Sequence, residues 1–144
     1  MISDVPPGQE SDFAWLLSSL IEQVPHTRSA VLLSSDGLVN AVHGLQPDRA
    51  DHLAAIASGL FSLARSAGTK FGAGDGVRQV VAELDDILLF VSSAGFGSVL
   101  TVLADREVDA GVLGYEMSQL VKSVRPFLAT PARRTGAAPG DPRP

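Results

Sequence analysis

The chain has 144 residues, 45% of them hydrophobic, a formal net charge of −5 and no cysteine; that is enough for one domain with its own core and excludes disulfides, thiolate metal sites and a thiol nucleophile. No run approaches the roughly 18 to 20 consecutive apolar residues of a membrane span, and the opening MISDVPPGQES holds Asp4 and Glu10 without the basic region of a secretory signal, so a cytoplasmic protein is expected. Three arginines against one aspartate in residues 129–144 leave −7 on the preceding 128 residues, a surface that repels nucleic-acid phosphates and anionic membranes.

Residues 1–10 read as a flexible N-terminus. The segment DFAWLLSSLIEQV then places Phe13, Leu16, Leu17, Leu20, Ile21 and Val24 at helical spacing on one face. Ser11 or Asp12 is placed to cap its start and Pro25 ends it. Two strands follow, about 29–34 and 38–43, joined by Ser35-Asp36-Gly37. Asp36 and Gly37 serve the turn, Gly37 supplying the positive φ of a tight hairpin, and Leu38 re-enters the core. A second helix opens at Pro47-Asp48 and closes at Gly68, with Leu53, Ile56, Ala57, Leu60, Phe61 and Ala64 inward. The glycine-rich FGAGDG after it leads into three strands, about 77–84, 87–92 and 98–104, connected by Asp85-Asp86 and by SAGFG. A third helix, about 109–128, buries Ala110, Leu113, Met117, Leu120, Val121 and Val124, and Pro126 should kink or end it. Residues 129–144 have too few large apolar groups to offset their ordering entropy and read as a disordered Pro/Arg/Gly-rich tail.

The runs AVLLS, ILLFVS and SVLTVL are too continuously apolar to leave one face wet. Helices must therefore cover both faces of a sheet that hairpin connections make antiparallel. The expected fold is α+β, a three-layer α/β/α sandwich with one five-stranded antiparallel sheet, in the order helix-strand-strand-helix-strand-strand-strand-helix.

Chemistry-bearing constellations are few. FGAGDG follows a helix and precedes a strand, whereas a phosphate cradle follows a strand and opens a helix; the sequence has no G-x-x-x-x-G-K-[ST]. His26, His43 and His52 show no metal-ligand spacing. Asp85-Asp86 fit a solvated turn, and Ser34-Ser35-Asp36 lacks a base in any recognisable arrangement. No catalytic residue, cofactor or metal ligand is assigned, and no enzyme is expected.

The second helix carries a stripe of small residues, Ala55, Ser58, Gly59, Ser62 and Ser66, opposite its core face. Gly59 costs roughly 1 kcal/mol relative to Ala in a helix interior, an expense that a tight helix crossing explains. The stripe reads as a contact surface for another chain, with a merely solvated face as the alternative. Arg78, Gln79 and Glu83 lie on the strand VRQVVAEL, where they suit either an interface or the protection of an edge by charge. Trp15 and Tyr115 fall off the core stripes. Trp15 is expected to pack sideways against the third helix or the Val5-Pro6-Pro7 segment, although exposed aromatics also anchor partners.

In combination, DFAWLLSSLIEQVP, AVLLSSDGLVNAV, DHLAAIASGLFSLARSAG, VRQVVAELDDILLFVSSAG and GYEMSQLVKSV resemble the bacterial branch of the dynein-light-chain roadblock family over about residues 11–128. More narrowly they are similar to the roadblock proteins of actinobacterial operons that also encode a sensor kinase-like protein and a Ras-like GTPase. The resemblance implies a small, non-enzymatic, usually dimeric signalling protein that scaffolds or regulates a small GTPase. It also implies a dimer interface on the second helix and third strand, where the stripe and Arg78, Gln79 and Glu83 lie. A small-molecule sensor needs a cavity with convergent polar groups, and strands of mainly Val, Leu and Ile make that the weaker alternative. A purely structural dimerisation module is the third.

Overall fold

Alternation within the strands decides the architecture. Ala30, Val31, Leu32 and Leu33 succeed one another in one strand and all four are fully buried, which requires cover on both faces of the sheet. In the computed structural model, which describes residues 7–134 and the side chains of residues 13–128, five strands meet that requirement together with three helices. They are β1 (Thr27–Ser34), β2 (Val39–His43), β3 (Gln79–Glu83), β4 (Ile87–Gly95) and β5 (Ser98–Asp105). The sheet is antiparallel, in the order β2-β1-β5-β4-β3.

The helices α1 (Pro7–Gln23) and α3 (Ala110–Arg134) cover one face. There Phe13, Leu17, Leu20, Leu113, Met117 and Val124 pack on Ala30, Leu32, Phe90 and Leu100. The other face carries α2 (Pro47–Phe71) alone, with Leu53, Ala54, Ala57 and Phe61 against Val31, Leu33, Val91 and Val99. The chain is thus a three-layer α/β/α sandwich. Among the described residues no helix is long and apolar enough to cross a membrane.

Element ends differ from expectation for local reasons. Pro7 opens α1, ahead of Ser11 and Asp12, because a proline's fixed φ and missing N–H cost nothing in a first turn. Part of the segment expected to be flexible is therefore helical, and residues 1–6 lie outside the described residues. Gly68 does not close α2, which runs on to Phe71 before Gly72 donates its N–H to the Gly68 carbonyl at 2.9 Å. Gly68 answers a close approach instead: a Cβ there would lie 2.7 Å from the Gly74 carbonyl oxygen, so the glycine-rich loop folds back across the helix end. Asp109 caps α3 by accepting from the N–H groups of Gly111 and Val112 at 3.0 and 3.1 Å. That helix continues through Pro126 to Arg134 rather than ending near Leu128, with Phe127 edge-on to Phe13 at 6.4 Å between centroids. Residues 129–134, expected in the tail, are helical, and residues 135–144 lie outside the described residues.

The β1–β2 turn places Gly37 at φ +92°, with its N–H on the Ser34 carbonyl at 2.9 Å and the Ser34 hydroxyl on the Asp36 carboxylate. Leu38 does not re-enter the core, being 53% exposed. β4 extends to Gly95, so its turn into β5 shrinks to Phe96-Gly97, both at positive φ as a two-residue type I′ hairpin demands.

Candidate functional site

The helix layers cover β3 unevenly: its half-buried Val80 and Ala82 pack on the α2 side, whereas Gln79, Val81 and Glu83, on the α1/α3 side, are exposed. β3 is an edge strand whose residues alternate exposed and half-buried along its length, leaving one row of its backbone groups without a strand partner among the described residues. The other edge, β2, is better protected, because α1 leans over it as well as α2. On the flank of α2, Ile56 and Leu63 are 54% and 69% exposed, and Ile56 lies in a groove with Leu84 of the β3–β4 turn. A groove of about 620 Å³ opens there, walled by Leu53, Ile56, Leu84, Ile87 and Leu103 with His52 at its rim. The apolar helix flank thus reaches the turn at the end of the edge strand.

The small-residue stripe lies mostly on this outward side. Ala55, Gly59, Ser62 and Ser66 are exposed, and a Cβ on Gly59 would meet nothing within 4 Å, so its absence serves no packing inside the chain. Ser58 is different. Its hydroxyl donates to the Ser35 carbonyl at 2.7 Å, latching α2 to the β1–β2 turn, and it lies beside Gly37. Ile56, expected inward, belongs to the outward flank, and Ala110, expected in the core, is exposed in the first turn of α3. On β3, Glu83 is already held by Arg106 at 3.0 Å, and the same guanidinium donates to the Leu84 carbonyl at 2.8 Å. Gln79 is exposed at the strand's start and Arg78 immediately precedes it.

Two arrangements escape sequence reasoning. His26, at φ +72° in the α1–β1 loop, meets Asp105 and Glu107, with one donor atom of each within 4.8 Å of the others. The cluster is largely exposed, and Arg28 Nε occupies Asp105 Oδ1 at 2.5 Å, supplying one positive charge there. Trp15, expected to pack sideways, is 68% exposed at the lip of a shallow groove between α1 and α3 that Glu116, Gln119 and Ser123 also line. Tyr115 is likewise 61% exposed.

A small five-stranded antiparallel sheet sandwiched in this helix and strand order is the architecture of the roadblock class. The Roadblock/LC7 domain family matches residues 13–104, and the chain belongs to that family. A Roadblock/LC7 domain from Streptomyces avermitilis is 69% identical, with a TM-score of 0.80 over 81% of this chain and 98% of its own. The gliding protein MglB from Thermus thermophilus is 18% identical with a TM-score of 0.77, covering 89% of this chain and 98% of its own. An MglB described with a tetrameric arrangement is 16% identical with a TM-score of 0.78, over 89% and 97% respectively. No curated protein matches the chain.

Proposed function

We propose that the chain is a non-enzymatic, cytoplasmic regulator or scaffold of a small Ras-like GTPase in a bacterial, actinobacterial signalling system, acting as a homodimer paired through α2 and β3. The observation that carries the reading is the open β3 edge beside the apolar flank of α2, in a member of the roadblock family. Antiparallel pairing of β3 with its twin would satisfy the edge and bring the two α2 helices together. There Gly59 and the serines permit close approach while Ile56 and Leu63 are buried. Support for self-association comes also from the tetrameric arrangement of the MglB neighbour. The dimer performs no covalent step of its own; it organises the switch regions of the GTPase, whose own groups and Mg²⁺ carry hydrolysis. A sensor kinase-like protein is a further proposed partner.

The test is binding to the Ras-like GTPase encoded beside this chain, loaded with GDP or with a non-hydrolysable GTP analogue, followed by single-turnover hydrolysis. Preference for the GTP form with faster hydrolysis identifies an activator, and binding blind to nucleotide identifies a scaffold. Absence of binding in both states overturns the reading.

A further inference from the structure

We infer that the pocket between α3 and the β3–β4 hairpin is a binding site for a small organic anion, presented on the face of the sheet opposite α2. A cavity of about 360 Å³ opens there, lined by Arg78, Gln79, Ser92, Gly114, Met117 and Ser118. That volume lies within the range of roughly 300 to 1,000 Å³ usual for small-molecule sites.

Its chemistry is built from three elements. Gln79 and Ser92 are direct cross-strand partners on β3 and β4. They share the α3-covered face with Phe90 and Ala94. Ser92 is only 8% exposed, yet its hydroxyl has no hydrogen-bond partner among the described residues. A buried hydroxyl without a partner is costly unless something else bonds it, and this one lines the pocket. Gly114 lines the pocket from the α3 side, where a Cβ would stand at ordinary contact distance, 4.0 Å, from the Gln79 amide nitrogen.

Charge then selects the ligand. Arg78, at the mouth, has no carboxylate within ion-pair distance among the described residues, and no acidic side chain lines the cavity. A guanidinium at the rim, an amide and hydroxyls along the wall and a Met117 floor suit a molecule with one oxyanion, a carboxylate or a phosphate monoester, on a small apolar body. The oxyanion bonds Arg78, and an oxygen of the ligand accepts from the free Ser92 hydroxyl. Dimer pairing through β3 uses the strand's edge and leaves this face accessible, so the site stands apart from the GTPase reading.

The experiment is an amide-resolved NMR titration of the full chain with inorganic phosphate and, separately, with acetate. Dimerisation is followed in parallel by light scattering, so that lost binding is not lost pairing. Saturable shifts at Arg78, Gln79, Ser92, Gly114 and Ser118 are expected with at least one anion, and the anion that saturates distinguishes the two headgroups. Arg78→Gln should weaken binding at least tenfold. Ser92→Ala should weaken it several-fold while the ligand-free protein melts no lower than wild type, a combination that a merely structural serine would not give. Shifts that never saturate, that scatter over the surface, or that survive both substitutions unchanged overturn the proposal.

Discussion

The two faces of the sheet are finished to different degrees. Against α1 and α3, the sheet buries Phe90, Leu100 and Val102 under paired helices whose own Phe13, Leu17, Leu113 and Met117 are at most 1% exposed. Against α2 the same strands meet a single helix, and apolar Ile56 and Leu63 are left outside. Neither face is closed at the β3 edge, where Val81, cross-strand from Phe90 on the α1/α3 side, is 48% exposed. Leaving an apolar flank beside an unpaired strand edge costs solubility and invites aggregation unless another chain covers it. The α1/α3 side therefore holds most of the large buried side chains, and the flank of α2 is the surface on which the proposed dimer is to be tested.

The sharpest way to break that contrast is to damage each face in turn. Phe90→Ala empties the middle of the α1/α3 core and should cost about 3–5 kcal/mol of stability, read by chemical denaturation. A loss below about 1 kcal/mol would mean that this face is not the principal core. Gly37→Val comes next. A β-branched residue at φ +92° is strained by about 1–3 kcal/mol, and the turn it distorts also receives the Ser58 latch from α2. Wild-type thermal stability in that variant would reject the turn geometry.

The α2 flank should respond in the opposite manner. Leu63→Asp and Gly59→Leu each are expected to weaken the dimer at least about tenfold, seen by light scattering across a dilution series. Neither should destabilise the protomer. Leu63 is already 69% exposed, and Gly59 has open space around its missing Cβ, so a leucine there meets no clash within the chain and improves helix propensity by nearly 1 kcal/mol. A dimer untouched by both would move the interface away from α2. A variant that unfolds would show that the flank is core after all.

How much of this is legible in the sequence follows from what periodicity encodes. The stripes of α1 and α3 are readable because two helices share one face and find cover for the large apolar positions on their inward sides; Phe13, Leu17, Leu20, Val24, Leu113, Met117, Leu120 and Val124 are all buried. On α2 the periodicity draws the stripe one residue too wide. Ile56 satisfies the same spacing as Leu53 and Ala57, and spacing does not say where a lone helix runs out of sheet to cover. Leu38 fails for a related reason: it follows a turn, and turn residues obey the hairpin's hydrogen bonds before the alternation of the strand. Gly59 is readable as an unexplained cost, whereas the latch at Ser58 is not, since its partner Ser35 is brought near only by the tertiary fold. Ser92 is hidden best. It sits in the apolar run of β4, and only the register that sets it opposite Gln79, with Gly114 above, turns it into the wall of a polar cavity.

The smallest expected effect concerns the edge itself. Arg106 reaches from the β5–α3 turn to the Glu83 carboxylate and the Leu84 carbonyl, so one side chain braces the end of the strand proposed to pair in the dimer. Both partners are substantially exposed, at 46% and 63%, and a solvent-screened pair of this kind is worth about 1 kcal/mol or less. Arg106→Ala should therefore shift protomer stability by no more than that. Its effect on the dimer depends on what the brace does. In an antiparallel pair of β3 strands each Glu83 faces the Arg78–Gln79 end of its twin, so removing Arg106 frees the carboxylate to attract that arginine, and dimerisation becomes more salt-sensitive, since added salt screens the attraction. A dimer constant that shows the same salt dependence in wild type and Arg106→Ala would place Glu83 outside the paired edge and shift the contact toward α2 alone.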